Sequence, residues 1–243
     1  FPYDPIENAI KFIGEEDGVF NNEDYIIFYA NGQDTFSEES NTNLNSFTDK
    51  TFYLLNVSAG FGRRVVDLVE PANDENVIID EYQNYKFHEV DNYNIAKIGR
   101  RWFGERFDFE SIKNFEFEFD NIITSKPIDL KVYTAAVSEI PTSMSLKVNN
   151  LDIDNFNYQS INDPILASED YFNNQILVSN SLINVTLDYN NNGNPSSYAY
   201  LDYISIEATC GLSFNGSQLI FYNNDVENLN GVGKYVISNS NSL

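Results

Sequence analysis

The sequence predicts an all-β protein: two β-sandwich or jelly-roll-like domains of antiparallel sheets, with little helix. Three observations carry that prediction. Aromatic residues make up 15% of the chain, with 19 Phe and 16 Tyr, and Ile and Val accompany them, whereas Met occurs once; β-branched and aromatic side chains suit a pleated, half-buried surface. Short stretches alternate apolar and polar residues with the period of two that belongs to a strand. Between them lie clusters of Asn, Asp, Gly and Pro, the residues of tight turns.

Taken in order, the first candidate strands are 9–13, 25–29, 52–57 and 65–69, separated by turn signals such as Glu16-Asp17-Gly18 and Asn31-Gly32. A hairpin-like passage follows over 77–90. The clearest strand is 115–120, Phe-Glu-Phe-Glu-Phe-Asp, with three Phe on one face and three acids on the other. The pattern repeats at 129–133, 145–148, 184–189, 204–210, 218–222 and 234–238. One short helical turn is expected over 165–172, after Pro164.

The composition shifts once, across 91–106, where Lys97, Arg100, Arg101 and Arg106 form a basic island beside Trp102 and Phe103. A boundary near residue 95 divides the chain into a small first domain, 1–95, and a second, 96–243, with about eight strands, the number of a jelly roll. Hydrophobic residues at 42% supply ample core material.

The formal net charge of −23 opposes contact with phosphate backbones and anionic lipid surfaces, so nucleic acid is not an expected partner. It suits solubility in an external medium. No apolar run approaches the roughly 20 residues that cross a bilayer as a helix. The chain opens on Phe1-Pro2-Tyr3-Asp4, without an initiating Met or a signal peptide, and reads as a processed product or a piece of a longer protein.

The candidate sites are few. Glu15, Asp17 and Asp24 lie in a stretch whose D-G-x-hydrophobic-N-x-x-D pattern matches the second half of an EF-type calcium loop, at its third, fifth and twelfth positions. Its first position falls on Ile13, which cannot ligate, and the competing reading is a solvated turn. The basic island reads either as an anion patch or as an interface in which Arg stacks on aromatics. Tyr198 and Tyr200 share one strand face, with Tyr203 on the other, and suggest a sugar platform; the competing reading is core.

Catalytic residues do not assemble. Cys210 is the single cysteine, set in an apolar strand and read as a buried structural thiol, and His88 is the single histidine. They fall in separate expected domains. No G-x-S-x-G motif exists, and nothing singles out a carboxylate pair among the 37 acids.

Three stretches together resemble one family, the gingipain-related cysteine peptidases. Residues 14–32, Gly-Glu-Glu-Asp-Gly-Val-Phe-Asn-Asn-Glu-Asp-Tyr-Ile-Ile-Phe-Tyr-Ala-Asn-Gly, resemble the family's N-terminal G-x-x-D-G-x-F-x-x-x-D-Y-I-x-F-Y-x-x-G signature, followed by a Tyr-bearing stretch at 51–55. Residues 99–105, Gly-Arg-Arg-Trp-Phe-Gly-Glu, are similar to the G-R-x-W-F-G-E motif of one branch, the sortase of the type IX secretion system. Residues 200–204 match its L-D-Y-I strand.

The resemblance implies a surface-exposed sortase of Bacteroidota that removes the C-terminal signal domain of secreted cargo and attaches the cargo to lipopolysaccharide. It implies three partners: a C-terminal peptidase domain of the same protein, an outer-membrane barrel, and the cargo. The family's catalytic His-Gly motif is absent here, so the resemblance assigns this chain no catalytic residue and no cofactor; calcium rests on Glu15, Asp17 and Asp24 alone. The chain then corresponds to an N-terminal, non-catalytic portion, whether scaffold, recognition surface or inhibitory prodomain. The competing class is a secreted carbohydrate-binding or adhesion module.

Overall fold

The computed structural model describes residues 6–32, 36, 41–45, 48–57, 60, 62–67, 69, 71–72, 74–95, 101–216, 218–223, 226 and 231–239. Among them lie thirteen strands: β1 Ile10–Ile13, β2 Tyr25–Phe28, β3 Val77–Ile79, β4 Glu81–Glu89, β5 Arg106–Phe107, β6 Ile112–Glu118, β7 Ile128–Val137, β8 Thr142–Val148, β9 Leu151–Tyr158, β10 Ser168–Ile176, β11 Leu182–Asn190, β12 Tyr198–Gly211 and β13 Gly233–Tyr235. Among the described residues, a single 3-10 turn runs over Glu15–Asp17. The all-β, antiparallel class read from the sequence is the observed one.

Two sheets make a sandwich. One has the order β10-β7-β12-β4, with β5 pairing the start of β12; the other has the order β6-β11-β8-β9. Alternation places the core. On β6 and the two residues after it, Phe115, Phe117 and Phe119 are buried while Glu116, Glu118 and Asp120 face water, as the sequence pattern predicts. They meet Ile128, Leu130 and Val132 of β7, Leu146 of β8 and Leu187 of β11 in one continuous cluster.

Side chains pin both flanks of the sandwich. On one, the backbone N–H groups of Asn157 and Gln159, at the end of β9, donate to Asp170 and to Ser168 Oγ on β10, each at 2.9 Å. On the other, Lys86 of β4 donates to the Glu118 carbonyl and the His88 ring lies 4.9 Å from that of Phe115. These contacts occupy edge positions that would otherwise present unpaired backbone to other chains.

Several elements differ from expectation. The passage 77–90 is not a hairpin: β3 pairs parallel with β13, and β4 runs antiparallel to β12, from Glu81 opposite Gly211 to Glu89 opposite Tyr203. A hydrogen-bonded ladder therefore runs from a strand before residue 95 into the sheet that follows it. Residues 52–57 form no strand, since no described residue pairs with them. Residues 65–67 and 69 form none either, Leu68 lying outside the described residues; Arg64 alone bridges to Ile10. Residues 218–222 contribute one bridge, Tyr222 to Gln83.

The expected helical turn over 165–172 is instead the approach and first half of the edge strand β10. β9 escapes the period-of-two reading because the β8–β9 ladder shifts register beside Leu146 and Lys147, which breaks the alternation.

Candidate functional site

The chemistry-bearing residues converge where the segment 101–105 crosses β12. Between Leu201 and Tyr203 the register against β7 shifts: Leu201 faces Thr134 and Tyr203 faces the adjacent Tyr133, so Asp202 is an extra, bulged residue. One extra residue reverses the alternation beyond it. Ala199 and Leu201 point into the core before the bulge, and Ile204, Ile206, Ala208 and Cys210 do so after it. Tyr203 therefore joins Tyr198 and Tyr200 on the outer face, contrary to the expectation that it points the other way.

Asp202 is almost wholly buried and is gripped by Arg101, whose Nε and Nη2 both lie 2.7 Å from Asp202 Oδ2. Arg101 also donates through Nη1 to Glu169 of β10 at 2.6 Å and lies 5.2 Å from the Phe103 ring. Burial pushes the Asp202 carboxyl up to about 7; the Arg101 guanidinium pulls it down, and Glu89 and Asp91 push it up again.

Backbone bonds complete the joint. Gly104 N–H donates to the Leu201 carbonyl (2.8 Å) and Leu201 N–H to the Glu105 carbonyl (3.0 Å). A Cβ at Gly104 would stand 2.6 Å from the Val90 carbonyl oxygen, a close approach that glycine alone allows. Glu105 reaches His88 Nε2 at 2.6 Å.

Around the joint, the chain itself covers the outer face of the five-stranded sheet, while Tyr171 on the edge strand stays 58% exposed. Three tyrosine rings stack across three strands: Tyr171 on Tyr133 at 5.0 Å and 7°, and Tyr133 on Tyr203 at 5.0 Å and 20°. Phe36 packs on Tyr203, whose hydroxyl donates to Asn41 Oδ1 at 3.0 Å. Tyr93 and Phe103 cover Tyr200, which is only 7% exposed. The Tyr198/Tyr200 pair thus offers no open platform for a sugar.

Glu89, opposite Tyr203, holds this cover down. Its carboxylate accepts from Asn43 N–H (2.7 Å), Asn43 Nδ2 (2.9 Å) and the Thr42 hydroxyl, while Tyr85 O–H donates to Asn43 Oδ1 at 2.5 Å. Sequence reading missed Glu89 and its partners, which lie more than forty residues away. Asp202 did leave a signal: an acid inside the otherwise apolar run 200–204.

The three carboxylates proposed for calcium take separate roles. Glu15 pairs with Arg64 at 3.0 Å, Asp17 accepts from Val19 N–H at 2.8 Å, and Asp24 accepts from Asn21 N–H at 2.7 Å while packing against Gly14, whose φ is 93°. Among the described residues, no group of three His, Cys, Asp or Glu side chains is arranged to hold a metal. Of the basic island, Lys97 and Arg100 lie outside the described residues. Arg101 and Arg106 behave as an interface, Arg106 lying 4.3 Å from the Tyr198 ring and 3.2 Å from Asp108.

His88 and Cys210 lie in one sheet, on the paired strands β4 and β12. His88 faces Ile204, six residues along β12 from Cys210, a separation of about 20 Å at strand rise. Cys210 is fully buried, and burial pushes its thiol up to about 11. Such a thiol is not poised as a nucleophile.

The N-terminal hairpin β1–β2 and the segment 52–57 contrast with the sandwich. Tyr29, Phe52, Leu54, Leu55 and Val57 are all exposed, from 77 to 90%. Among the described residues no helix is long and apolar enough to cross a membrane.

The class of protein is thus an antiparallel β-sandwich that carries an N-terminal β-hairpin and a chain-covered outer sheet. The sequence matches no family model and no curated protein. Among solved structures, the fold is similar to dimeric latent PorU from Porphyromonas gingivalis, with a TM-score of 0.64 and 14% identity, over 96% of this chain and 22% of that one. The chain therefore spans about a fifth of that protein. A carbohydrate-binding module of the CBM36 type, solved with calcium and xylotriose, overlaps 53% of the chain and 99% of the module at a TM-score of 0.33 and 13% identity. A CBM36-1 domain of a xylanase from the hindgut metagenome of Trinervitermes trinervoides overlaps 56% of the chain and all of that domain, also at 0.33, with 12% identity.

Proposed function

We propose that the chain is an N-terminal, non-catalytic portion of a type IX secretion system sortase of the gingipain-related cysteine peptidases, acting on the cell surface. Its role is to scaffold the peptidase domain and present surfaces to the outer-membrane barrel partner and the cargo. One observation carries this reading. Two of the stretches that resemble the sortase, 101–105 and 200–204, lie about a hundred residues apart and yet build one joint, through Arg101–Asp202 and the backbone bonds of Gly104 and Glu105 with Leu201. The similarity to PorU over nearly the whole chain supports it.

The exposed apolar surface of the hairpin and of 52–57 is the side offered to the peptidase domain. The reading gives the chain no part in bond cleavage, in keeping with the buried, unactivated Cys210. The test incubates the purified chain with a secreted cargo protein that carries its C-terminal signal domain. The expected result is intact cargo, together with co-elution of the chain with the separately expressed peptidase domain. Cargo cleavage that persists in Cys210→Ala would overturn the reading.

A further inference from the structure

We propose that the outer face of the four-stranded sheet carries a binding site for a neutral carbohydrate, in the depression between the β8–β9 turn and the start of β11. The depression holds about 380 Å³, within the range of small-ligand sites. Its lining is made of side-chain amides and hydroxyls with one leucine, and no charged side chain takes part. That is unusual ground in a chain of net charge −23.

The strand positions bring the amides together. Asn114 on β6 and Asn184 on β11 occupy solvent-side positions of adjacent strands. The turn is fixed by Asn149 and Asn150, both left-handed with φ of 48° and 66°, in a two-residue hairpin connection.

Hydrogen bonds then orient the amides. The Thr186 hydroxyl donates to Asn114 Oδ1 at 2.7 Å, and Asn149 Oδ1 accepts the Asn184 N–H at 2.9 Å. These bonds engage the amide oxygens of Asn114 and Asn149, and neither Nδ2 donates to another described residue. The site thus presents N–H donors, with hydroxyls beside them and the half-exposed Leu182 as an apolar wall.

A sugar matches each part. Its hydroxyls accept from amide N–H groups and donate to neighbouring oxygens, and its C–H face packs on leucine. Charge selects among sugars. Glu116 stands opposite Asn184 and Asp188 follows Thr186 two residues along the same face, while Lys147, opposite Thr186, is paired with Asp152 at 3.1 Å, so the rim keeps a net negative charge and disfavours uronic or sulfated saccharides. The site is independent of the proposed sortase role and lies on the opposite sheet from the covered tyrosines.

The test applies the whole chain to an array of neutral and anionic oligosaccharides, then titrates the best neutral ligand into 15N-labelled protein. The expected result is saturable shifts in the side-chain amide signals of Asn114 and Asn149. Asn114→Asp and Asn149→Asp keep size and shape but replace the N–H donor with an acceptor; each should weaken binding at least about tenfold. Tyr171→Ala, on the other sheet, should leave binding unchanged. Absence of saturable binding to any neutral saccharide up to about 10 mM, a preference for anionic ones, or unchanged affinity in both Asp variants would each overturn the proposal.

Discussion

The sandwich and the N-terminal hairpin are written in the same residue vocabulary and end up in opposite environments. Phe115, Phe117 and Phe119 alternate with acids and disappear into a core, whereas Tyr25, Ile27, Phe28 and Tyr29 stay at least 44% exposed. The difference is partnership. Each strand of the sandwich has a second sheet to bury its apolar face against; among the described residues, β1 and β2 pair only with each other and with the bridge at Arg64. A two-stranded sheet cannot hide a face by itself. The same kinds of apolar residue are thus buried or left exposed according to whether a second sheet lies against them.

The widest gap between the two regions should appear on truncating buried and exposed aromatics. Phe119→Ala empties a fully buried site and should cost about 3–5 kcal/mol in urea unfolding, while Phe52→Ala, 81% exposed, should stay within about 0.5 kcal/mol. Equal losses would mean that the hairpin region is packed as tightly as the sandwich. Gly104→Ala probes the joint: the new Cβ meets backbone at Val90, and the strain should cost about 1–3 kcal/mol by thermal melting.

Asp202 gives the comparison a pH axis. Its carboxyl is held up near 7 in the fold against an ordinary value of 3.8, so the folded state binds the extra proton between those values. Its contribution to stability is therefore full below about pH 4 and is lost as pH rises toward 7. Relative to Asp202→Asn, the parent protein should lose on the order of 2 kcal/mol between pH 5 and pH 7. A gap independent of pH would show that Arg101 keeps Asp202 ionised throughout. The smallest effect concerns the cover: Glu89→Gln keeps the size but loses the charge that three donors share, and should destabilise by about 1–2 kcal/mol. Faster amide exchange at residues 41–45 would localise that loss.

Much of the sandwich was legible in the sequence. The strands at 115–120, 129–133, 145–148 and 184–189 announce themselves because one face is buried and one is wet, and burial of Cys210 follows from its apolar run. Edge strands were harder: β10 carries Asn173, Asn174 and Gln175 toward solvent and reads as a loop. The candidate site was legible only in part. The stretches 99–105 and 200–204 stood out, but not that they touch, and the hold of Glu89 on Asn43 had no sequence signal at all.

The sequence by itself determined what is local: the all-β class, most strand faces and the turns, since alternation and turn chemistry act within a few residues. The tertiary structure alone decided which strand pairs with which, the placing of β4 beside β12, and the side on which Tyr203 lies. One bulged residue, Asp202, reverses the alternation, and a bulge is defined only against the strand opposite. Hence Tyr198, Tyr200 and Tyr203 share the outer face of the sheet, where the chain's own Phe36, Tyr93 and Phe103 pack over them.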